Sequence, residues 1–229
     1  LQRVQLNNPF GAIYGFRYKG VYQYHYETFA DMGVAEQEQF LADGKTAPVV
    51  LNANGEIIRD SKGEPKRVKY CFSNAENESK DYDFKGGDAI YEDINHDGNI
   101  NELDIVYLGS SLPKLTGGFG FTLNYDRWRL NAQFNYRVGN KILNLDSESM
   151  ITNNNQSQAV NYRWRKEGDV TPIPRAMYGT LSNGAVSNYN TLVSDRFVED
   201  GSFLRLNYLQ LSYSFSSKVA RALRLKGLR

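Results

Sequence analysis

An all-β fold is what this sequence predicts, and three observations predict it. Aromatic side chains are abundant, with 16 Tyr and 12 Phe, and such residues favour pleated, half-buried surfaces. Residues 117–125 and 128–138 alternate apolar and polar positions without a fault on either side of Asp126-Arg127. Turn-forming clusters punctuate the chain, at Asn52-Ala53-Asn54-Gly55, Ser61-Lys62-Gly63 and Gly139-Asn140. No run of 18 apolar residues is present, so no helix is expected to cross a membrane. Barrel strands escape that test, because alternation hides their apolar face from hydropathy averages.

Charge and cysteine content narrow the field. A net charge of +1 over 229 residues points to no nucleic acid and no acidic partner. The single cysteine, Cys71, rules out a disulfide framework and a cysteine metal site, and reads as an inert thiol. The chain opens Leu1-Gln2-Arg3-Val4, without an initiator Met or a signal pattern, and is expected to be a mature segment or a fragment.

Taken in order, Tyr14, Phe16 and Tyr18 share one side of an expected strand over residues 13–19. A long polar insertion follows, residues 20–112. Residues 29–41 hold a helical turn or two, with Val34, Gln37, Glu38 and Leu41 on neighbouring positions. The rest of the insertion reads as too polar to build a core of its own, so something else must fix it.

Residues 93–104 offer such a fixture. Asp93, Asn95 and Asp97 supply oxygens at loop positions 1, 3 and 5, and Gly98 falls where the chain must turn sharply. Asn99 would offer its backbone carbonyl, Asn101 a water-mediated contact and Asp104 a closing carboxylate. An all-oxygen set of this kind suits structural Ca2+. The alternative is a solvated chain of Asx turns. No amphipathic helices flank the loop, so the ion would act as a staple and not as a sensor.

Residues 117–138 form an expected hairpin. With Asp126-Arg127 as its turn, Tyr125 faces Trp128, Leu123 faces Leu130, Phe121 faces Ala132 and Phe119 faces Phe134, all on one face. Arg127 suits a primed turn poorly, which leaves a longer turn open. Strands of about 9–11 residues are what a tilted crossing of a bilayer needs. Aromatics at both ends of the apolar face match the girdles of an outer-membrane barrel, whereas a soluble β-sandwich has no reason to place them there. On the barrel reading, Arg129, Asn131, Gln133, Asn135 and Arg137 line the lumen.

Residues 143–200 form a second extracellular loop. Its Tyr162-Arg163-Trp164-Arg165-Lys166 run suits binding of glycan or peptide, and equally a clamp of the loop by cation–π stacking. Residues 203–215 are the last strand, where the apolar phase flips near Asn207-Tyr208 and implies a bulge. Ser216-Ser217 then opens a helical turn through Val219, Ala220 and Leu223. Short turns on one side and long loops on the other are the asymmetry of outer-membrane barrels. Neither His25 nor His96 belongs to a catalytic arrangement, and no P-loop, HExxH or GxGxxG is present, so the chain is not expected to be an enzyme.

Several motifs taken together resemble one family. Gly87-Asp88-Ala89-Ile90-Tyr91-Glu92-Asp93-Ile94-Asn95-His96-Asp97-Gly98, Leu108-Gly109 and Pro113-Lys114-Leu115-Thr116-Gly117-Gly118-Phe119 are similar to the C-terminal barrel portion of SusC/RagA-type TonB-dependent outer-membrane transporters. So, in the same order, are Val138-Gly139-Asn140-Lys141-Ile142, Arg163-Trp164-Arg165-Lys166-Glu167-Gly168-Asp169 and residues 194–206. The resemblance implies a large antiparallel transmembrane β-barrel with long extracellular loops, in the outer membrane of a Gram-negative bacterium. It implies import of oligosaccharides or peptides, a SusD-like surface lipoprotein as partner, and TonB acting through an N-terminal plug that this chain lacks. Residues 1–229 would then be a C-terminal portion, far short of a barrel of about 22 strands. The rival expectation is a secreted, calcium-stabilised β-domain that binds glycan without transport.

Overall fold

The computed structural model describes residues 10–71, 81–144, 158–177, 189–216 and 219. Its strands, in chain order, are β1 (Ala12–Gly15), β2 (Tyr18–Val21), β3 (Lys69–Tyr70), β4 (Tyr82–Asp83), β5 (Ala89–Tyr91), β6 (Asn99–Ile100), β7 (Val106–Ser110), β8 (Leu115–Tyr125), β9 (Trp128–Val138), β10 (Lys141–Leu143), β11 (Val198–Asp200) and β12 (Phe203–Tyr213). Two helices, α1 (Tyr26–Ala30) and α2 (Val34–Ala42), accompany the strands. The class is all-β, as expected. The chain divides into two compact units, one built from Ala12–Leu108 with Leu143–Glu199 and the other from Gly109–Ile142 with Asp200–Arg229.

The first unit corrects an expectation. The long insertion does build a core: Tyr22, Val50, Val68, Tyr70, Phe84, Ala89, Tyr91 and Ile100 are buried together with Phe16 from the segment before it. A second cluster gathers Phe29, Phe40, Ala47 and Val49. Short pairings supply the frame, with β2 antiparallel to β5, and β3 between antiparallel β4 and parallel β6. The apolar residues follow no period because each comes from a two- to four-residue strand or a turn. Edge-on and tilted aromatic contacts, such as Phe16 on Tyr91 at 5.3 Å, make up much of the packing.

Two local expectations change as well. Residues 13–19 are not one strand, since the chain breaks after Gly15 and resumes at Tyr18. All of Ala12–Gly15 is buried, so the segment has no solvated face, and β1 pairs with β7. The helical turns at 29–41 exist, but Phe29 and Phe40 anchor them, with rings 5.3 Å apart, while Val34 is exposed. Gln37 is buried because its amide donates to the Phe29 and Met32 carbonyls.

The second unit holds a three-stranded antiparallel sheet in the order β12-β9-β8. The predicted hairpin register holds at every pair, from Tyr125↔Trp128 to Gly117↔Tyr136. The two-residue turn is kept because Asp126 adopts φ 49°, a left-handed value that Asp tolerates better than most residues. The expected bulge is also present: the β12 register shifts between Leu206 and Tyr208, leaving Asn207 as the extra residue. Strand β12 stops at Tyr213, two residues earlier than expected. Beyond Val219, the helical turn expected near the C-terminus lies outside the described residues.

Candidate functional site

The bulge decides what the sheet presents. Without it, Leu204 and Leu206 would fall on the polar side; with it, Leu204 pairs Tyr136 and Leu206 pairs Phe134. Five cross-strand rows then make one continuous apolar face: Tyr125–Trp128–Tyr213, Leu123–Leu130–Leu211, Phe121–Ala132–Leu209, Phe119–Phe134–Leu206 and Gly117–Tyr136–Leu204. Aromatics gather at the turn end, with Trp128 and Tyr213 rings 4.8 Å apart and Tyr213 and Phe215 4.9 Å apart. Leu123, Leu209 and Leu211 are each about 60% exposed, so this face meets solvent or lipid and no protein core.

The opposite face is polar apart from Phe203, which pairs Arg137 at its far end. It carries the five predicted residues Arg129, Asn131, Gln133, Asn135 and Arg137, and β12 adds Arg205, Tyr208, Gln210 and Ser212 opposite them. Gln210 and Ser212 follow from the alternation past the bulge, whereas Arg205 takes this face only because of it. Thr122 Oγ1 donates to Asn131 Oδ1 at 2.8 Å and Asn131 Nδ2 to Gln210 Oε1 at 3.2 Å, a ladder across all three strands. Gly120 lacks a side chain in the middle of this face, and Thr122, Arg129, Asn131, Gln133 and Tyr208 surround the resulting hollow. A Cβ on Gly120 would lie 2.9 Å from the Ala132 carbonyl.

Loop 93–104 is drawn together by its own side chains. Gly98 N–H donates to Asp93 Oδ2 at 2.8 Å, Asp97 N–H to Asn95 Oδ1 at 3.1 Å and Asn99 N–H to Asp97 Oδ1 at 2.7 Å. Asp104 is fully buried and accepts from Ile94 N–H and Asn101 N–H, both at 2.9 Å, closing a capping box over the Glu102–Asp104 turn. Burial raises its carboxyl above the ordinary range, and those two N–H groups pull it back in part. Asn99 Oδ1 is engaged by Cys71 Sγ, and burial pushes that thiol up to about 11. Lys66 Nζ donates to the Asp97 carbonyl at 2.7 Å.

The fit to calcium is partial. Among the described residues no three His, Cys, Asp or Glu side chains converge as a ligand group. Asp93 Oδ1, however, is buried without a hydrogen-bond partner, and a carboxylate oxygen that already accepts one N–H keeps a second lone pair.

Three of the motifs that carry the resemblance, at residues 87–98, 163–169 and 194–206, supply joints of the first unit. Arg175 Nε meets Asp88 Oδ1 at 2.6 Å, and Tyr82 donates to Asp88 Oδ2 at 2.6 Å. Asn190 accepts Ala89 N–H at 2.8 Å and donates to the Arg175 carbonyl at 3.2 Å. Trp164 is buried, donates from Nε1 to the Gln23 carbonyl at 3.2 Å and stands edge-on to His25. Glu167 accepts His25 N–H at 2.9 Å and Thr28 Oγ1 at 2.7 Å, capping α1, whose own N-cap residue His25 makes no side-chain cap. Asp195 accepts Tyr18 N–H at 2.8 Å. Of the two roles open to the Tyr162–Lys166 run, Trp164 takes the clamp, by burial and hydrogen bonding and against the first insertion. Arg175 and Asn190 carried no local signal, because their partners at residues 82–89 lie far away in sequence.

A sheet with 11-residue strands, one apolar face rimmed by aromatics and one hydrogen-bonded polar face has the build of a membrane barrel wall. Relatives of the chain carry that description further. It is 27% identical over 222 residues, 93% of its length, to TonB-dependent receptor P39 of Formosa agariphila, and 36% identical over 131 residues to TonB-dependent receptor P26 of the same organism. The chain spans 19% and 12% of the lengths of those two relatives. A solved chain of the RagAB peptide importer aligns with 95% of it at 16% identity and a TM-score of 0.44. No protein-family model matches. The relatives this chain resembles are thus TonB-dependent receptors, which agrees with the broader part of the resemblance drawn from its motifs.

Proposed function

We propose that this chain is a wall-and-rim segment of an outer-membrane importer energised by TonB, which takes up oligosaccharides or peptides together with a SusD-like surface lipoprotein. The observation that carries the reading is the two-faced β12-β9-β8 sheet. Its apolar rows suit contact with lipid, and its amide- and arginine-rich rows suit a water-filled lumen. The first unit, with its own core and its clamped insertions, suits an extracellular position where a polar surface meets water. Transport and not catalysis is the assigned activity, in keeping with relatives that are receptors.

The test is a pair of substitutions in the full-length protein. Leu123→Arg places a charge on the apolar face, at a cost of about 2–4 kcal/mol near the bilayer midplane, and should block assembly into the outer membrane. Gln133→Arg, on the polar face, should assemble normally. Equal behaviour of the two variants would sink the reading. A full-length protein that stays in the aqueous phase without detergent would favour the secreted glycan-binding alternative.

Loop 93–104 is proposed as a structural Ca2+ site, with Asp93, Asn95, Asp97, Asn99, Asn101 and Asp104 as its oxygen donors. The buried, unpartnered Asp93 Oδ1 supports it. A weak site, with Kd of about 10⁻⁴–10⁻³ M, suffices at extracellular calcium levels. Chelation should speed protease cleavage between residues 93 and 109. Unchanged cleavage would leave the Asx turns and Lys66 as the whole explanation.

A further inference from the structure

The polar face of the sheet is charged in one sense only. Its guanidinium groups are Arg129, Arg137 and Arg205, and no Asp or Glu shares the face. Among the described residues, none of the three makes an ion pair. The nearest carboxylates in sequence sit elsewhere: Asp126 is in the turn, and Asp200 is held by Lys141 at 3.7 Å and by Ser202 N–H at 2.9 Å. Two of the arginines reach the same ring. Arg137 lies 5.7 Å and Arg205 5.0 Å from the centre of the Phe203 ring, at the end of the sheet away from the Asp126-Arg127 turn.

Cation–π contact with Phe203 positions both guanidinium groups, and among the described residues neither is held by a carboxylate. Two positive charges gathered at one ring repel, and an anion bridging them would relieve that repulsion. A guanidinium edge matches a carboxylate or sulfate oxygen pair in bidentate geometry, and two edges at one ring make a cradle for such a group. Neutral donors and acceptors continue along the same face at Asn135, Gln133, Asn131 and Gln210. That combination fits a chain-like substrate with hydroxyls or amides along its length and at least one anionic substituent.

We infer that the substrate taken up is anionic, an oligomer bearing carboxylate or sulfate groups, and that Arg137 and Arg205 bind one such group together on the lumen face. The inference rests on the importer reading. Under that reading the end away from the short turn is the entry side, so the pair meets substrate early. Coulombic attraction there also favours capture of anions from dilute solution.

The test uses the full-length protein purified from outer membranes in detergent, with hexagalacturonate, hexaglutamate and maltohexaose as probes in 20–50 mM salt, a range of roughly 14–21 Å screening length. At least one anionic hexamer should bind about tenfold or more tighter than maltohexaose, and which of them does so separates a glycan from a peptide source. Arg137→Gln/Arg205→Gln should weaken that binding about tenfold or more while the variant still assembles in the membrane. Equal binding of all three probes, or an unchanged double variant, overturns the inference and leaves the importer reading intact. Failure of the wild-type protein to reach the outer membrane would instead overturn the importer reading.

Discussion

Asp88 and Arg175 lie far apart in the chain and meet at 2.6 Å with the carboxylate fully buried. Each Asp88 oxygen is engaged more than once: Oδ1 by Arg175 and Asn190, Oδ2 by the Tyr82 hydroxyl and Lys85 N–H. A carboxylate this dry is tolerated only because every direction is satisfied. The pair ties the second insertion to the turn that starts β5, where the Gly87 carbonyl also accepts Arg175 N–H at 2.7 Å.

Removing one partner should therefore cost much more than the pair itself contributes. Arg175→Met is expected to destabilise the first unit by about 3–5 kcal/mol, since Asp88 is left buried and uncompensated. The measure is the denaturant dependence of limited proteolysis within residues 12–108. Asp88→Asn, which keeps the Tyr82 contact without the charge, should cost less. A variant as resistant as wild type would show that the charge finds water.

Gly87 has φ +85°, and a Cβ there would sit 2.3 Å from Trp164 Cε3. Gly87→Ala is thus expected to displace the indole ring as well as strain the backbone. Trp164 fluorescence should shift to the red as the ring meets water. Unchanged emission would mean that the clamp has slack.

Glu167 should make stability depend on pH. Hydrogen bonds from Thr28 and His25 hold its carboxyl below the ordinary value of 4.5. A depressed carboxylate adds stability that is fully present above the unfolded value and is lost as pH falls through the folded one. Glu167→Gln keeps an acceptor oxygen and loses the charge, so it should lower stability at neutral pH by less than the ~1 kcal/mol of a whole helix cap and flatten the acid limb of the stability profile. Parallel profiles for the two proteins would assign the cap no ionic part.

Asn207 is the one residue of β12 without a register partner. Its deletion leaves Leu206 opposite Phe134 and Tyr208 opposite Gln133, so every other side chain keeps its face. Assembly in the outer membrane should survive. Deleting Gln210 instead puts one side of the strand out of phase and should abolish assembly. Loss of assembly on deleting Asn207 would give the bulge a role beyond register, in bending the wall.

The faces and pairs of the hairpin were readable because strand alternation is local and follows from residues 117–138 alone, while the structure fixed its turn at two residues. The bulge was readable for the same reason, as a phase error at Asn207. The first unit was not. Its core draws on Phe16, Tyr70, Phe84 and Tyr91, scattered among short strands that carry no period, so polar composition suggested a loop in need of a staple. The sequence by itself determined the all-β class, the sheet's two faces and the family resemblance, because each rests on local pattern. Only the tertiary structure decided that Gly87, Asp88, Trp164, Glu167 and Arg175 are joints, and that Arg137 and Arg205 share the Phe203 ring. Such contacts bring together residues distant in sequence, and no local propensity encodes them.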